Sequence, residues 1–204
     1  MNRNAEAVER GYDSIAQTYH AGRLAREAVN VEWLDGLRSF LPESGKVVDL
    51  GCGAGVPISR YFVSRGYEVT GYDLSREMLA IATRDVPGAA FHQGAIEDLR
   101  LDEGSVDLLV SFFALIHIDR SFHAELFTRM AGWLRKGGGV LFSLGADDNP
   151  DQVSDDFHGA PMVWSHFDAA TNLGLLAAAG LTVTWHEVED LGDERHLFVI
   201  ARKV

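Results

Sequence analysis

Three glycines and two acids carry the most specific chemistry that can be read from this chain. Gly51-Cys52-Gly53-Ala54-Gly55 follows the short apolar run Val47-Val48-Asp49-Leu50. Glycine lets the backbone turn sharply and lets a ligand approach closely. The first amides of a helix after such a turn point toward that ligand. Asp73 stands 22 residues beyond Gly51, at the end of the next strand-like segment. An acid there accepts hydrogen bonds from both hydroxyls of a ribose and opposes a 2′-phosphate. Asp49 lies two residues before the first glycine, at the mouth of the position where a dinucleotide fold holds pyrophosphate. At short range in a low-dielectric cleft, a carboxylate repels phosphate. The pair therefore favours a nucleoside with a cationic, phosphate-free tail. No Lys-Ser or Lys-Thr follows the loop, so it is not a P-loop.

S-adenosylmethionine is an adenosine with such a tail. His117, after the fourth predicted strand, is the candidate general base for a hydroxyl or amine acceptor; the alternative is a histidine that packs against its turn. His20, His158 and His166 are weaker candidates of the same kind. Cys52 has no base near it in sequence and reads as a small filler. Trp164, Phe167, Trp33 and Phe113 suit either an apolar substrate pocket or the core. No His, Cys or carboxylate spacing argues for a metal.

The elements that must position these residues alternate along the chain. Helical spacing of Ala5, Val8, Tyr12, Ile15, Ala16 and Tyr19 predicts a helix over 3–27, and a second over 28–40 presents Trp33, Leu34, Leu37 and Phe40, with Pro42 ending it. Strands are predicted at 47–50, 67–72, 89–93, 106–112 and 140–144, with helices between them. Ser75 and Asp168 are predicted N-caps, and Gly137-Gly138-Gly139 is read as the end of the helix over 121–135. Residues 181–188 and 195–202 read as an antiparallel hairpin around Gly192-Asp193. Residues 146–166 lack apolar periodicity and hold Asp147, Asp148, Asp151, Asp155 and Asp156; they are expected to be a long loop on the substrate side. The pattern predicts an α/β fold: a doubly wound, seven-stranded, mostly parallel sheet with a C-terminal antiparallel hairpin.

The 204 residues fit one domain, with a helical cap at 1–43, a cofactor-binding core at 46–145, the loop at 146–167 and a closing helix and hairpin at 168–204. The net charge of −12 argues against nucleic-acid and anionic-membrane partners. One cysteine, no apolar leader and no apolar stretch of about 18 residues lead to the expectation of a cytoplasmic location. A monomer or homodimer is expected.

Val47 to Gly55, with Asp73-Leu74-Ser75 and Met78-Leu79, resembles the class I S-adenosylmethionine-dependent methyltransferases of the small-molecule type. Val106 to His117 is similar to that family's fourth strand and the turn after it. Leu134-Arg135-Lys136-Gly137-Gly138-Gly139 resembles its entry to strand five. Tyr12-Asp13-Ser14-Ile15-Ala16 and Tyr19 resemble the N-terminal helix that closes over the cofactor. The resemblance implies a Rossmann-like methyltransferase with S-adenosyl-L-methionine as cofactor and a small-molecule methyl acceptor as partner. It places Asp49, Gly51, Cys52, Gly53 and Gly55 at the methionine part, Asp73 on the ribose, and Leu74 and Met78 along the adenine. Ala95 and Ile96 fall on the other adenine face, and Ser111, Phe112 and Tyr19 border the methionine end. Many members carry an Asp at the place of Ala95, which leaves Glu97 or Asp98 for the adenine amino group. The segment Ser111-Phe112-Phe113-Ala114 has no proline, unlike the Asn/Asp-Pro-Pro turn of enzymes that methylate DNA bases or protein glutamine. The residues leave two other readings open, an NAD-dependent oxidoreductase and a non-catalytic S-adenosylmethionine-binding module.

Overall fold

The apolar runs become strands buried on both faces, because each residue in turn meets a different layer of helices. A computed structural model describes residues 3–25, 27–192 and 194–204, and not the side chains of residues 3, 28 and 29. In chain order the helices are α1 (Arg3–Ala25), α2 (Glu27–Gly36), α3 (Ile58–Ser64), α4 (Arg76–Asp85), α5 (His123–Trp133) and α6 (Ala169–Ala178). The strands are β1 (Lys46–Leu50), β2 (Glu68–Asp73), β3 (Ala90–Gln93), β4 (Val106–Ser111), β5 (Leu134–Gly145), β6 (Asn149–Phe157), β7 (Ala160–His166), β8 (Leu181–Asp190) and β9 (Arg195–Lys203). Seven of them form one sheet in the order β3-β2-β1-β4-β5-β9-β8, and β6 and β7 pair separately. β3, β2, β1, β4 and β5 run parallel, whereas β9 pairs antiparallel with both β5 and β8. The doubly wound sheet with its C-terminal hairpin is thus present. Asp193, in the predicted turn of that hairpin, lies outside the described residues.

Val48, Leu50, Leu109, Phe142 and Val199 face α5 and α6, where they meet Phe127, Met130 and Leu176. Val47, Val69, Leu108, Val110 and Ile200 face the other way, onto Leu34, Leu37, Tyr61 and Phe62 of the α2 and α3 side. Ser75 caps α4 by accepting from the Met78 amide at 3.1 Å, and Asp168 caps α6 through the Thr171 amide at 2.8 Å.

Three boundaries differ from expectation. The segment 146–166 is a β-hairpin, not a loop. Only β7 turns an alternating face inward, with Ala160, Met162 and Trp164 buried, while β6 is nearly all exposed and acidic. A strand with one polar partner gives little periodic signal. The glycines at 137–139 lie inside β5, which begins at Leu134 opposite Val106, and an irregularity in register is absorbed between Val106 and Leu108. A side chain at Gly138 would sit 3.0 Å from the Arg135 and Asp107 carbonyl oxygens, so the glycines serve close strand approach. The second helix ends at Gly36, and residues 38–40 form a single 3-10 turn.

The hairpin and α1 together form a cap above the carboxyl ends of the parallel strands. Val8 and Tyr12 of α1 pack with Met162 and Trp164 of β7 and with Phe157 of β6. Gly11 makes the approach possible, since a Cβ there would lie 2.8 Å from both the Pro161 carbonyl oxygen and the Met162 methyl carbon. Gly11→Val is expected to overpack this seam and lower stability by about 1–3 kcal/mol. Chemical denaturation measures the loss, and limited proteolysis should then release α1 before the sheet is cut. A variant as stable and as resistant as the native chain would show that the seam yields.

Candidate functional site

The carboxyl ends of β1, β2 and β4 open into a cavity of about 970 Å³, its mouth included, roofed by α1. The site is built where the strand order reverses between β1 and β4, the usual ligand position of an open α/β sheet.

The glycine loop is pinned to β2 before it turns. The amides of Gly51 and Cys52 donate to the Tyr72 carbonyl at 2.8 and 3.0 Å, and the Gly55 amide donates to the Cys52 carbonyl at 2.9 Å. Gly51, Gly53 and Gly55 all have positive φ, at 74°, 52° and 73°. A Cβ at Gly53 would meet no protein atom within 4 Å and would project into the cavity, so the loop leaves room for a ligand against its backbone.

Asp73 ends β2 with both oxygens already engaged by the loop and the next helix. Its Oδ2 accepts from the Gly53 amide at 2.8 Å and its Oδ1 from the Ser75 amide at 2.9 Å. Burial raises its pKa despite those amides. Each oxygen keeps a lone pair that a ligand hydroxyl can reach. Ser75 in turn donates to Asp13 of α1 at 2.6 Å, which ties the roof to the same corner.

Asp49 is only 2% exposed. The Ser59 hydroxyl donates to its Oδ2 at 2.6 Å. Burial, opposed by that hydrogen bond and reinforced by the Asp73 charge, raises its pKa to about 7. Burial and the same two acids push the Cys52 thiol up, which leaves it protonated and unreactive.

His117 lies in the cavity wall with both ring nitrogens occupied. Its Nδ1 is 2.6 Å from the Val163 carbonyl of β7, an acceptor only, so Nδ1 carries the proton. Its Nε2 then accepts from the Tyr12 hydroxyl of α1 at 3.0 Å. Burial lowers its pKa to about 4. As arranged, the ring ties α1 and β7 together, and a proton-accepting role requires Tyr12 to release Nε2.

Of the residues singled out in the sequence, Tyr19, Asp49, Gly51, Cys52, Gly53, Asp73, Leu74, Met78, Ile96, Phe112 and His117 line this cavity. Gly55, Ala95 and Ser111 do not. Gly55 packs toward Phe91, Val86 and Ala82, and the buried Ser111 hydroxyl donates to the Leu50 carbonyl at 2.8 Å, joining β4 to β1. Glu97 reaches the cavity wall where Ala95 does not. Trp33 packs on Phe112, Trp185 and Phe198 and donates to Glu189, and Trp164 sits behind His117 and Phe157. Asp147 and Asp148 pair with Arg195 and Arg120 outside the cavity. Sequence reasoning missed Arg23 and left Tyr12 without a role. Both share the α1 face of Val8 and Tyr19 at spacings of four, seven and eleven residues, the signal that groups them.

Comparison with known proteins agrees with this geometry. The family description "Methyltransferase domain" matches residues 47–138. The Bacillus subtilis protein YqeM, a methyltransferase by name, is 28% identical over 91% of this chain and 78% of its own length. A malonyl-acyl-carrier-protein O-methyltransferase of Enterobacter lignolyticus is 40% identical over 57% of this chain, which spans 47% of that relative. The crystal structure of an S-adenosylmethionine-dependent methyltransferase from Mesorhizobium loti superposes with a TM-score of 0.67 at 27% identity, covering 84% of this chain and 97% of that one.

The buried acid makes a signed prediction about stability. The folded chain keeps the Asp49 proton up to about pH 7, while the unfolded chain loses it near the ordinary aspartate value of 3.8. The stabilising contribution is therefore present in acid and is lost as pH rises through about 7. Asp49→Asn should remove that loss, so the ligand-free variant should gain melting temperature relative to the native chain as pH goes from about 5 to about 8. A constant difference between the two proteins across that range would show that Asp49 is ionised throughout.

Proposed function

We propose that this chain, which belongs to the class I S-adenosylmethionine-dependent methyltransferase superfamily, transfers a methyl group from S-adenosylmethionine to a small-molecule acceptor held beneath α1 and the β6–β7 hairpin. The observation that carries the reading is the half-buried Asp73, held by the Gly53 amide at the edge of an open glycine cradle. Such a carboxylate, with Asp49 near it and no arginine or lysine among the described residues paired to either, fits a ribose followed by a cationic tail.

When bound, the cofactor supplies a methyl group already activated on a sulfonium. The chain's own residues then bind, align and exclude water, and alignment can lower a barrier by roughly 7–11 kcal/mol. Asp73 would receive the ribose hydroxyls, with Leu74, Met78 and Ile96 flanking the adenine and Glu97 at its amino edge. Asp49, Gly51, Cys52 and Gly53 would face the methionine part, bordered by Tyr19 and Phe112. Gly55, Ala95 and Ser111 support these residues from behind. We assign His117 the role of a positioning residue that sets Tyr12 and the roof, in place of the general base anticipated from sequence. The net charge of −12 and the roofed cavity favour a small acceptor over a nucleic acid. No helix among the described residues is long and apolar enough to cross a membrane. A cytoplasmic location, a monomeric or homodimeric state and one catalytic domain over 1–204 complete the proposal.

Calorimetry with S-adenosylmethionine, S-adenosylhomocysteine and NAD tests it, together with transfer of labelled methyl to a panel of small acceptors. Binding of NAD without the sulfonium, or tight cofactor binding with no turnover on any acceptor, would overturn it. Asp73→Ala should weaken the cofactor by about 1–3 kcal/mol through lost charge-assisted hydrogen bonds. An unchanged dissociation constant would remove Asp73 from the site.

A further inference from the structure

Arg23 is a cation in the cavity wall that the chain itself leaves uncompensated. It lies on α1 one turn beyond Tyr19, with its guanidinium carbon 4.6 Å from the centre of the Phe113 ring and 5.4 Å from that of Tyr19. Among the described arginine side chains, only Arg23 and Arg38 have no hydrogen-bond or ion-pair partner. Arg38 is exposed to solvent, whereas Arg23 is half-buried and lines the cavity. The chain has 30 acidic residues for 18 basic ones, and Arg60, Arg65, Arg84, Arg120 and Arg195 each have a carboxylate within 3.0 Å. An unpaired guanidinium at this place is therefore a specific arrangement, not a shortage of partners.

The support beneath it is built. Phe113 follows β4 with φ of 58°, a conformation that L residues seldom adopt, and its amide is fixed by the Ser143 hydroxyl at 2.6 Å. Strain of this kind persists where the surroundings over-determine it and clusters at ligand clamps. The ring is backed by His196 of β9 at 4.9 Å. A guanidinium resting on an aromatic ring is held by cation–π attraction and keeps its in-plane N–H donors free, in a fork that matches a carboxylate. β9 lies beyond β5 in the sheet, on the other side of β1 and β4 from Asp73 of β2. The cation thus stands at the end of the cavity remote from the ribose acid.

We infer that the methyl acceptor carries a carboxylate and that Arg23, laid over Phe113, binds it. This rests on the methyl-transfer reading above. The α-carboxylate of the cofactor is a second source of the same chemistry, and the experiment separates the two. Acetate, succinate, phenylacetate and 3-phenylpropionate are each titrated against their amides into the protein loaded with S-adenosylhomocysteine. At least one acid should bind about tenfold or more tightly than its amide, the scale of one charge-assisted hydrogen bond. Arg23→Gln should abolish that preference and Arg23→Lys should retain part of it. Both variants should hold S-adenosylhomocysteine within about twofold of the native affinity, far less than the tenfold expected for a lost charged contact, which also reports that they fold. If no acid outbinds its amide, the inference fails while the methyl-transfer reading stands. If Arg23→Gln weakens S-adenosylhomocysteine about tenfold but not 5′-methylthioadenosine, which lacks the carboxylate, Arg23 serves the cofactor and the inference is overturned. If the native protein does not bind S-adenosylhomocysteine at all, the methyl-transfer reading falls and takes this inference with it.

Discussion

Two carboxylates, the buried Asp49 near the end of β1 and the half-buried Asp73 at the end of β2, with no described arginine or lysine paired to either, set the terms for everything else in the site. Burial disfavours the charged form of each acid, and the Asp73 charge adds to that effect on Asp49. Burial chiefly, and the Asp73 charge to a lesser degree, raise the Asp49 pKa to about 7 against the Ser59 hydroxyl. The chain tolerates the cost because the rest of the sheet is packed on both faces and can carry a locally unfavourable group. A ligand that brings positive charge relieves the repulsion, and one that brings phosphate aggravates it. Selectivity for the cofactor class thus follows from electrostatic frustration in the empty site as much as from complementary shape.

Around that pair the cavity has two halves of different construction. The half proposed to take the nucleoside is made from strand ends and the glycine loop, and its groups are fixed by backbone hydrogen bonds such as Gly53 to Asp73 and Gly51 to Tyr72. The acceptor half is roofed by α1 and backed by the hairpin, and its order depends on side chains that bridge elements distant in sequence. His117 does this most directly, linking Tyr12 on one side to Val163 on the other. Aromatic edges complete the join, with Tyr12 and Tyr19 both packed on Phe157.

The geometry of the glycine loop and the Asp73 corner was legible in the sequence because local chemistry determines it. Gly51, Gly53 and Gly55 mark a turn with positive φ, Asp73 ends its strand, and Ser75 caps its helix; each rule acts within a few residues. The hairpin was not legible, because β6 presents Asp151, Asp155 and Asp156 to solvent and β7 buries only Ala160, Met162, Trp164 and the polar Ser165. Arg23 was overlooked for a related reason. Its importance comes from Phe113, ninety residues away, and from the lack of a partner, which no linear pattern records. The state of His117 is likewise set by Val163 and Tyr12, so the sequence left a base and a packing histidine both open where the ring nitrogens bond residues distant in the chain.

The flush seam between Gly11 and the Pro161 carbonyl has a consequence for how the hairpin bears on the cavity. The hairpin joins β5 to α6, and none of its residues lines the cavity. What it must preserve is one bare patch of backbone against which a helix without a side chain can lie. The hairpin therefore acts on the cavity from behind, through the side chains of Tyr12, Tyr19 and His117 that it braces.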